Sequence, residues 1–400
     1  MIGVSEALAA VRRACAALGT ERVPLSDALG RVLAEDVSSD VDWPPFDTSA
    51  MDGYAVRVAE AARGGLVERA GLVAAGDPPP PPLSPGEAVR VMTGAPIPDA
   101  TEAVVPVENA RRDRGTVSAE PLPTKGEHIR RRGESIRAGT RLVEKGRRLT
   151  ARDLSLAALA GADPIACHAR PRVAIAVTGS ELVPAGAVPR PGQLRDSNGP
   201  MLAALVRVRG GVPEARRSVA DDSEAVRRLF EEAGGAEDLL VTSGGVSAGD
   251  LDLLPAAAER AGFEMLFHGV AMRPGKPVAF ARRGRALWLG LPGNPVSSAV
   301  CFQLFGAMAV DALSGLADPG PRFVTARLER ALSVRGKRET YRDAVLEAAE
   351  GRLRVRALET LGSHDLAAHG RANAVIRVPA EAERLDEGAL VECLPLGDLP

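Results

Sequence analysis

The stretch "DLLVTSGGVSAGD", residues 238–250, joins a short apolar run to a glycine-rich loop that carries three hydroxyls and an acid. The run 238–242 is too short for a helix and reads as a buried strand. Adjacent glycines let backbone N–H groups come close to an anion, and a helix starting after such a loop adds its positive end. The acids Asp250 and Asp252 act in the opposite sense: they repel a phosphate unless a divalent cation lies between. The stretch therefore predicts a strand-to-helix turn that holds a phosphorylated ligand bridged by a metal.

Outward from this loop, residues 171 to about 315 repeat a strand, turn, helix rhythm. "RVAIAV" (172–177) reads as a buried strand, "SNGPMLAALVRVRGG" (197–211) as a helix stopped by paired glycines, and "SEAVRRLFEEAGG" (223–235) as a second helix. Strands follow near "PVAFA" and "ALWLG", then a long helix from Pro295. Alternating strands and helices imply a mostly parallel sheet covered on both faces, the α/β class. Ligands on such sheets bind beyond the carboxyl ends of the strands. "TGSE" (178–181), "TSGG" (242–245) and "LPGNP" (291–295) each follow a strand and precede a helix, so all three are expected to line one crevice.

The flanks differ in texture. Residues 1–44 and 140–170 read as a helical and extended linking region, 45–139 as a β-rich domain of short runs broken by glycine and proline, and 171–318 as the α/β domain. From 319 to 400, alternating segments such as "RFVTARLE" and "ALVECL" suggest a small C-terminal β-barrel or sandwich. Five consecutive prolines, 78–82, make a stiff surface loop.

At 400 residues the chain exceeds one comfortable core. Fifty basic and 52 acidic side chains nearly cancel, to a net −2, so no global field recruits nucleic acid or anionic lipid. The four cysteines contain no CxxC pair, which argues against a zinc cage and for a reducing cytoplasm. The N-terminus reads as a helix start rather than a signal peptide, and no run approaches the roughly 20 apolar residues that span a bilayer. No GxxxxGK[ST] or GxGxxG loop is present, which removes generic NTPase and dinucleotide readings. His364 and His369 lie five apart, off the face of a zinc-binding helix.

Several further motifs carry chemistry. In "MRPGKP" (272–277), Arg273 and Lys276 flank a Pro-Gly turn, where they either grip an oxyanion or face solvent. "FDTSAMDGYAVR" (46–57) sets Asp47 and Asp52 around a small-residue turn, and "VMTGAPIP" (91–98) adds Thr93. "HIRRRGESIR" (128–137) concentrates positive charge, and such a run is usually a solvated face.

With these motifs in this order, the sequence resembles the molybdopterin molybdenumtransferases, the MoeA family that includes the E domain of gephyrin. The likeness rests on "FDTSAMDGYAVR", "VMTGAPIP", "IRRRGE", "VTGSEL", "GQLRDSNGPML", "TSGGVSAGDLD", "MRPGKPVAF", "LPGNPVSSAV" and "GSHDLAAHGRANA", which together cover almost the whole chain. Thr48 and Ser135 depart from the family pattern, where Asn and Asp are expected. The resemblance implies insertion of molybdate into adenylylated molybdopterin with release of AMP, assisted by Mg²⁺. It also implies a homodimer whose active cleft is shared between protomers, with Asp52 and Thr93 reaching in from the other subunit.

By the same resemblance, Asp52, Thr93, Glu181, Asp221 and Asp252 carry the reaction, and Asp221, Asp250 and Asp252 face the metal. Substrate contacts fall on Thr178, Gly179, Ser180, Asp196, Ser243, Gly244, Gly245 and Ser247. Arg273 and Lys276 hold molybdate or phosphate, and Pro292, Gly293, Asn294, Pro295 and Ser363 complete the set. Other cofactor-biosynthesis proteins are conceivable partners under this reading; nucleic acid and membrane are not. Two rival readings are an adenylyltransferase-like activity of the sheet domain and a non-enzymatic scaffold. Cleavage of a phosphoanhydride asks mainly for charge neutralisation and alignment.

Overall fold

In the computed structural model, which describes residues 1–215, 219, 222–246, 253–334 and 336–397, the apolar runs of the middle region form six strands. These are β1 (Arg172–Val177), β2 (Val212–Ala215), β3 (Leu239–Ser243), β4 (Glu264–His268), β5 (Ala279–Arg283) and β6 (Ala286–Leu291). Their order across the sheet is β2-β1-β3-β6-β5-β4. The first four are parallel, and β5 and β4 run antiparallel at one edge. From β1 the chain passes to β2 on one side and then crosses back to β3 on the other. A crevice therefore opens beyond the carboxyl ends of β1 and β3.

Every residue of β3 and β6 is buried, which is why these strands read as unbroken apolar runs rather than alternating ones. The two faces still sort by parity. Val173, Ile175, Leu239, Val241, Leu287 and Leu289 pack on one side with Leu202 and Val206 of the helix Asn198–Val208 and with the helix Pro295–Leu313. Ala174, Ala176, Leu240 and Trp288 pack on the other with Val226, Leu229 and Phe230 of the helix Ser223–Glu232. That helix starts where it does because the Asp222 carboxylate accepts hydrogen bonds from the amides of Glu224 and Ala225, both at 2.9 Å. Trp288 is fully buried, and its indole N–H donates to Thr242 Oγ1 at 2.9 Å.

The helix Pro295–Leu313 corrects one expectation. It is 19 residues long and apolar enough to cross a membrane by length and composition, yet its whole apolar window lies buried inside the fold. Its one acid, Asp311, is held by Arg148 Nη2 at 2.9 Å, and desolvation by burial raises its pKa.

The C-terminal segments close into a barrel. Strands β7 (Val324–Leu328), β8 (Glu339–Ala349), β9 (Arg352–Ala357), β10 (Ala374–Val378) and β11 (Leu390–Pro395) run in the order β8-β9-β7-β11-β10, and β10 pairs back onto β8. Closure removes the exposed edges that a sandwich would keep.

By contacts the chain divides into two compact units, Met1–Glu35 with Lys145–Thr150 and Pro164–Pro400, and Asp36–Glu144 with Ala151–Asp163. The sheet and the barrel thus belong to one unit. The β-rich unit is wider than the change of texture at 45–139, because Val37–Ser38 pairs with Arg141–Val143. It is built on a six-stranded sheet of its own. Its polyproline loop is fastened by Arg69, whose guanidinium donates to the carbonyls of Pro81 and Pro82 at 3.0 and 2.7 Å.

Candidate active site

Three strand ends meet at the crevice. The Thr178 amide donates to the Ser243 carbonyl at 3.0 Å, and the Gly244 amide to the Leu291 carbonyl at 3.0 Å, so the loops after β1, β3 and β6 are tied backbone to backbone. Such close approach needs glycine. Gly244 has φ +98°, and a Cβ there would lie 2.5 Å from Thr178 Oγ1 and 2.8 Å from the Thr178 carbonyl oxygen. The three loops line one open cleft of about 1190 Å³. Thr178, Gly179, Ser180 and Glu181 come from the first loop, Ser243, Gly244 and Gly245 from the second, and Pro292, Gly293, Asn294 and Pro295 from the third.

Two helices begin at this cleft, at Asn198 and at Pro295, and the positive ends of their dipoles make it favourable for a negative charge, although the Val296 amide already donates to the Ser363 carbonyl at 3.3 Å. Asp196, which also lines the cleft, caps the first of them by accepting from the Gly199 amide at 2.9 Å. Pro295 occupies the first turn of the second, where its missing N–H costs nothing.

A second cavity of about 420 Å³ adjoins the first, and Pro277, Ser297 and His364 line both. Arg273 and Lys276 are exposed on its wall, as the Pro-Gly turn predicts. The turn is seated by Gly275, where a Cβ would fall 2.3 Å from the sulfur of buried Cys301. Ser363 reaches the same cavity, and its Oγ accepts from Asn294 Nδ2 at 3.0 Å, which fastens this loop to the third strand end.

Two cations absent from the expected set complete the wall: Arg338, and Arg342 of β8. The Arg342 Nε is buried with no hydrogen-bond partner among the described residues. Asp343 also lines this cavity, and it is paired with His369 Nδ1 at 2.9 Å. A two-residue strand period could have placed Thr340 and Arg342 on one face, but nothing in the sequence says that this face meets the MRPGKP turn.

In the β-rich unit the first motif behaves as a folded clasp. Asp52 Oδ1 accepts from both the amide and the hydroxyl of Thr93 at 2.7 Å. The Thr93 amide, then its hydroxyl, holds the Asp52 carboxyl below the usual carboxylate range. Nor is the arginine run simply a solvated face: Arg131 pairs with Asp47 at 2.6 Å and Arg132 with Asp42 at 2.7 Å, although both guanidiniums stay partly in water.

Asp221, Ser247, Asp250 and Asp252 lie outside the described residues. Among the described residues no group of three His, Cys, Asp or Glu side chains assembles as a metal cage. The carboxylates that line the cleft there are Glu181 and Asp196. Oxygen donors of this kind suit a hard divalent cation better than zinc.

Known proteins match along the whole chain. Residues 2–161 match the MoeA N-terminal region (domains I and II), 174–312 a probable molybdopterin binding domain, and 325–396 the MoeA C-terminal region (domain IV). The chain is 36% identical to molybdopterin molybdenumtransferase 2 of Mycobacterium tuberculosis, over 96% of each chain. It is 34% identical to molybdopterin molybdenumtransferase of Bacillus subtilis, over 96% of this chain and 92% of that one. Among solved structures, a molybdopterin biosynthesis MoeA protein from Pyrococcus horikosii superposes with a TM-score of 0.85 at 30% identity, covering 100% of both chains.

Proposed function

The chain belongs to the MoeA family, transferases of molybdenum cofactor biosynthesis, and from that premise we propose that its paired cavities insert molybdate into adenylylated molybdopterin with release of AMP. The observation that carries this reading is the junction of the two cavities. A cleft lined by backbone amides and helix starts suits the phosphates of a pterin nucleotide, and it opens into a small chamber whose wall carries Arg273, Lys276, Arg338 and Arg342. A compact dianionic oxyanion fits that chamber, where planar guanidiniums offer paired donors. Mixing purified protein with adenylylated molybdopterin, molybdate and Mg²⁺, and following AMP and metallated pterin by mass spectrometry, tests the assignment directly. No AMP and no metallated pterin would remove it.

Within this reading each group has a limited task. The loops after β1, β3 and β6 bind and orient the phosphates. The arginines and the lysine hold the oxyanion, and the Asp343–His369 pairing keeps an acidic side chain of the chamber in a partnered state. Asp250 and Asp252 with Asp221 would hold Mg²⁺, as the family resemblance implies, and the ion would supply charge neutralisation at the phosphate when bound. The four unpaired cysteines support a cytoplasmic enzyme.

Lys276 separates oxyanion capture from folding. It is exposed, and truncation of such a residue typically changes stability by less than about 0.5 kcal/mol. Lys276→Ala is expected to raise the molybdate concentration needed for half-maximal rate and to leave the melting temperature nearly unchanged. An unaltered molybdate dependence would return this side chain to the role of a solvated turn.

The enzyme is proposed to work as a homodimer, with Asp52 and Thr93 serving the partner's cleft. The motivation is the Asp52–Thr93 clasp in the β-rich unit, a region that the family resemblance assigns to the neighbouring protomer's site. Mixing Asp52→Asn chains with Asp252→Asn chains is expected to restore part of the activity, since some heterodimers then hold one intact site. Isolated heterodimers no more active than either parent would exclude a shared site.

A further inference from the structure

One side chain joins two of the three strand-end loops and is not among the residues assigned above. Asn198, the first residue of its helix, is only 6% exposed and lines the cleft. Its Nδ2 donates to Ser243 Oγ at 2.8 Å and to the Gly293 carbonyl at 2.7 Å. The Ser243 hydroxyl passes the connection on, donating to the Pro292 carbonyl at 3.3 Å. One amide thus sets the distance between the loop after β3 and the loop after β6.

The other half of that amide is different. Asn198 Oδ1 is buried and finds no donor among the described residues. Rotating the amide does not relieve this, because it would set Oδ1 against the carbonyl oxygen of Gly293, two acceptors face to face. A buried acceptor left unpaired costs about 1–3 kcal/mol, so its retention in a ligand cleft calls for a donor that arrives with the ligand.

We propose that Asn198 positions the Ser243 and Gly293 loops through Nδ2 and accepts a hydrogen bond through Oδ1 from an N–H or O–H donor of the bound pterin nucleotide. The inference rests on the reading of this cleft as the pterin-nucleotide site. Its test pairs equilibrium binding of adenylylated molybdopterin with the KM for molybdate. Asn198→Ala is expected to weaken nucleotide binding about tenfold, the scale of one or two lost hydrogen bonds, while the molybdate KM moves less than twofold. Nucleotide affinity within twofold of wild type overturns the inference, and so does an equal loss for both ligands, which marks a merely structural residue. Should the alanine chain fail to fold, Asn198→Asp keeps the shape but turns the donor into an acceptor facing Gly293. The same split is expected there, and unchanged nucleotide affinity overturns the proposal. A wild-type protein that binds no adenylylated molybdopterin is a separate failure, one that removes the site and this inference with it.

Discussion

A chain carrying Asp252→Asn is expected to bind adenylylated molybdopterin and to release AMP roughly 10²–10³-fold more slowly than wild type, the usual cost of removing one electrostatic stabiliser from a reaction centre. Asp250 and Asp252 follow a glycine-rich loop suited to phosphate, and Asp221 is read as their neighbour. A carboxylate about 4 Å from a phosphate charge is repelled by about 4 kcal/mol in a partly dry cleft. A hard divalent cation turns that repulsion into attraction, since Mg²⁺ takes carboxylate, phosphate and water oxygens. Asparagine keeps the shape and one oxygen but not the charge. The nucleotide is therefore expected to bind the variant at least as well as wild type when metal is absent. Calorimetry reads that binding, and chromatography of AMP reads the reaction. EDTA is expected to reproduce the defect in wild type and added Mg²⁺ to reverse it. Full activity after rigorous metal depletion would end the metal assignment, leaving these acids as helix caps.

The position of the cleft was legible in the sequence because it depends on local signals. An apolar run and then a Thr-Gly, Gly-Gly or Pro-Gly turn, repeated three times, is enough to set three loops on one sheet edge, although the helix expected directly after the first loop begins only at Asn198, beyond the short strands Leu182–Val183 and Leu194–Arg195. Asp52 and Thr93 meet within the β-rich unit, a contact that their separate motifs do not state. The chamber beside the cleft was only half legible. Arg273 and Lys276 announce themselves in a rigid turn, but Arg342 sits in a barrel strand whose alternation says only which residues share a face. That this face meets the turn at 272–277 is a tertiary fact, set by the pairing of Met272 and Arg273 with Glu339 and Thr340 at the start of β8. Asn198 was hidden for a similar reason. An asparagine at a helix start reads as a cap, whereas here the amide donates to Ser243 and Gly293, 45 and 95 residues away. The reading that no run approaches the length of a membrane span overlooked one segment. The helix Pro295–Leu313 is apolar all round because both the sheet and other helices cover it, and composition alone does not separate that case from a membrane span.

Gly244→Ala is expected to be the most damaging single-methyl change in the cleft. The added carbon would stand 2.5 Å from Thr178 Oγ1 and 2.8 Å from the Thr178 carbonyl oxygen, nearer than real Cβ atoms come to any neighbour. The hydroxyl can rotate away, but the carbonyl belongs to backbone that the Thr178–Ser243 hydrogen bond holds at the end of β1. Alanine must also adopt φ +98°, a conformation that costs about 1–3 kcal/mol outside glycine. Overpacking adds about 1–3 kcal/mol more, so the loop is expected to move instead of the strand. Movement there breaks the hydrogen bond from the Gly244 amide to the Leu291 carbonyl and displaces the loop proposed to hold the phosphate, and nucleotide affinity is expected to fall by two orders of magnitude together with a melting drop of several degrees. Gly293→Ala supplies the contrast. Among the described residues its Cβ would meet only Gly244 Cα, at an ordinary 3.6 Å, and its φ is not in the left-handed region, so its melting temperature is expected to stay near wild type. Calorimetric binding and thermal melts of the two variants side by side separate the cases. Equal melting temperatures and equal affinities for Gly244→Ala and wild type would mean that the first two strand ends do not approach as closely as the Thr178–Gly244 geometry requires.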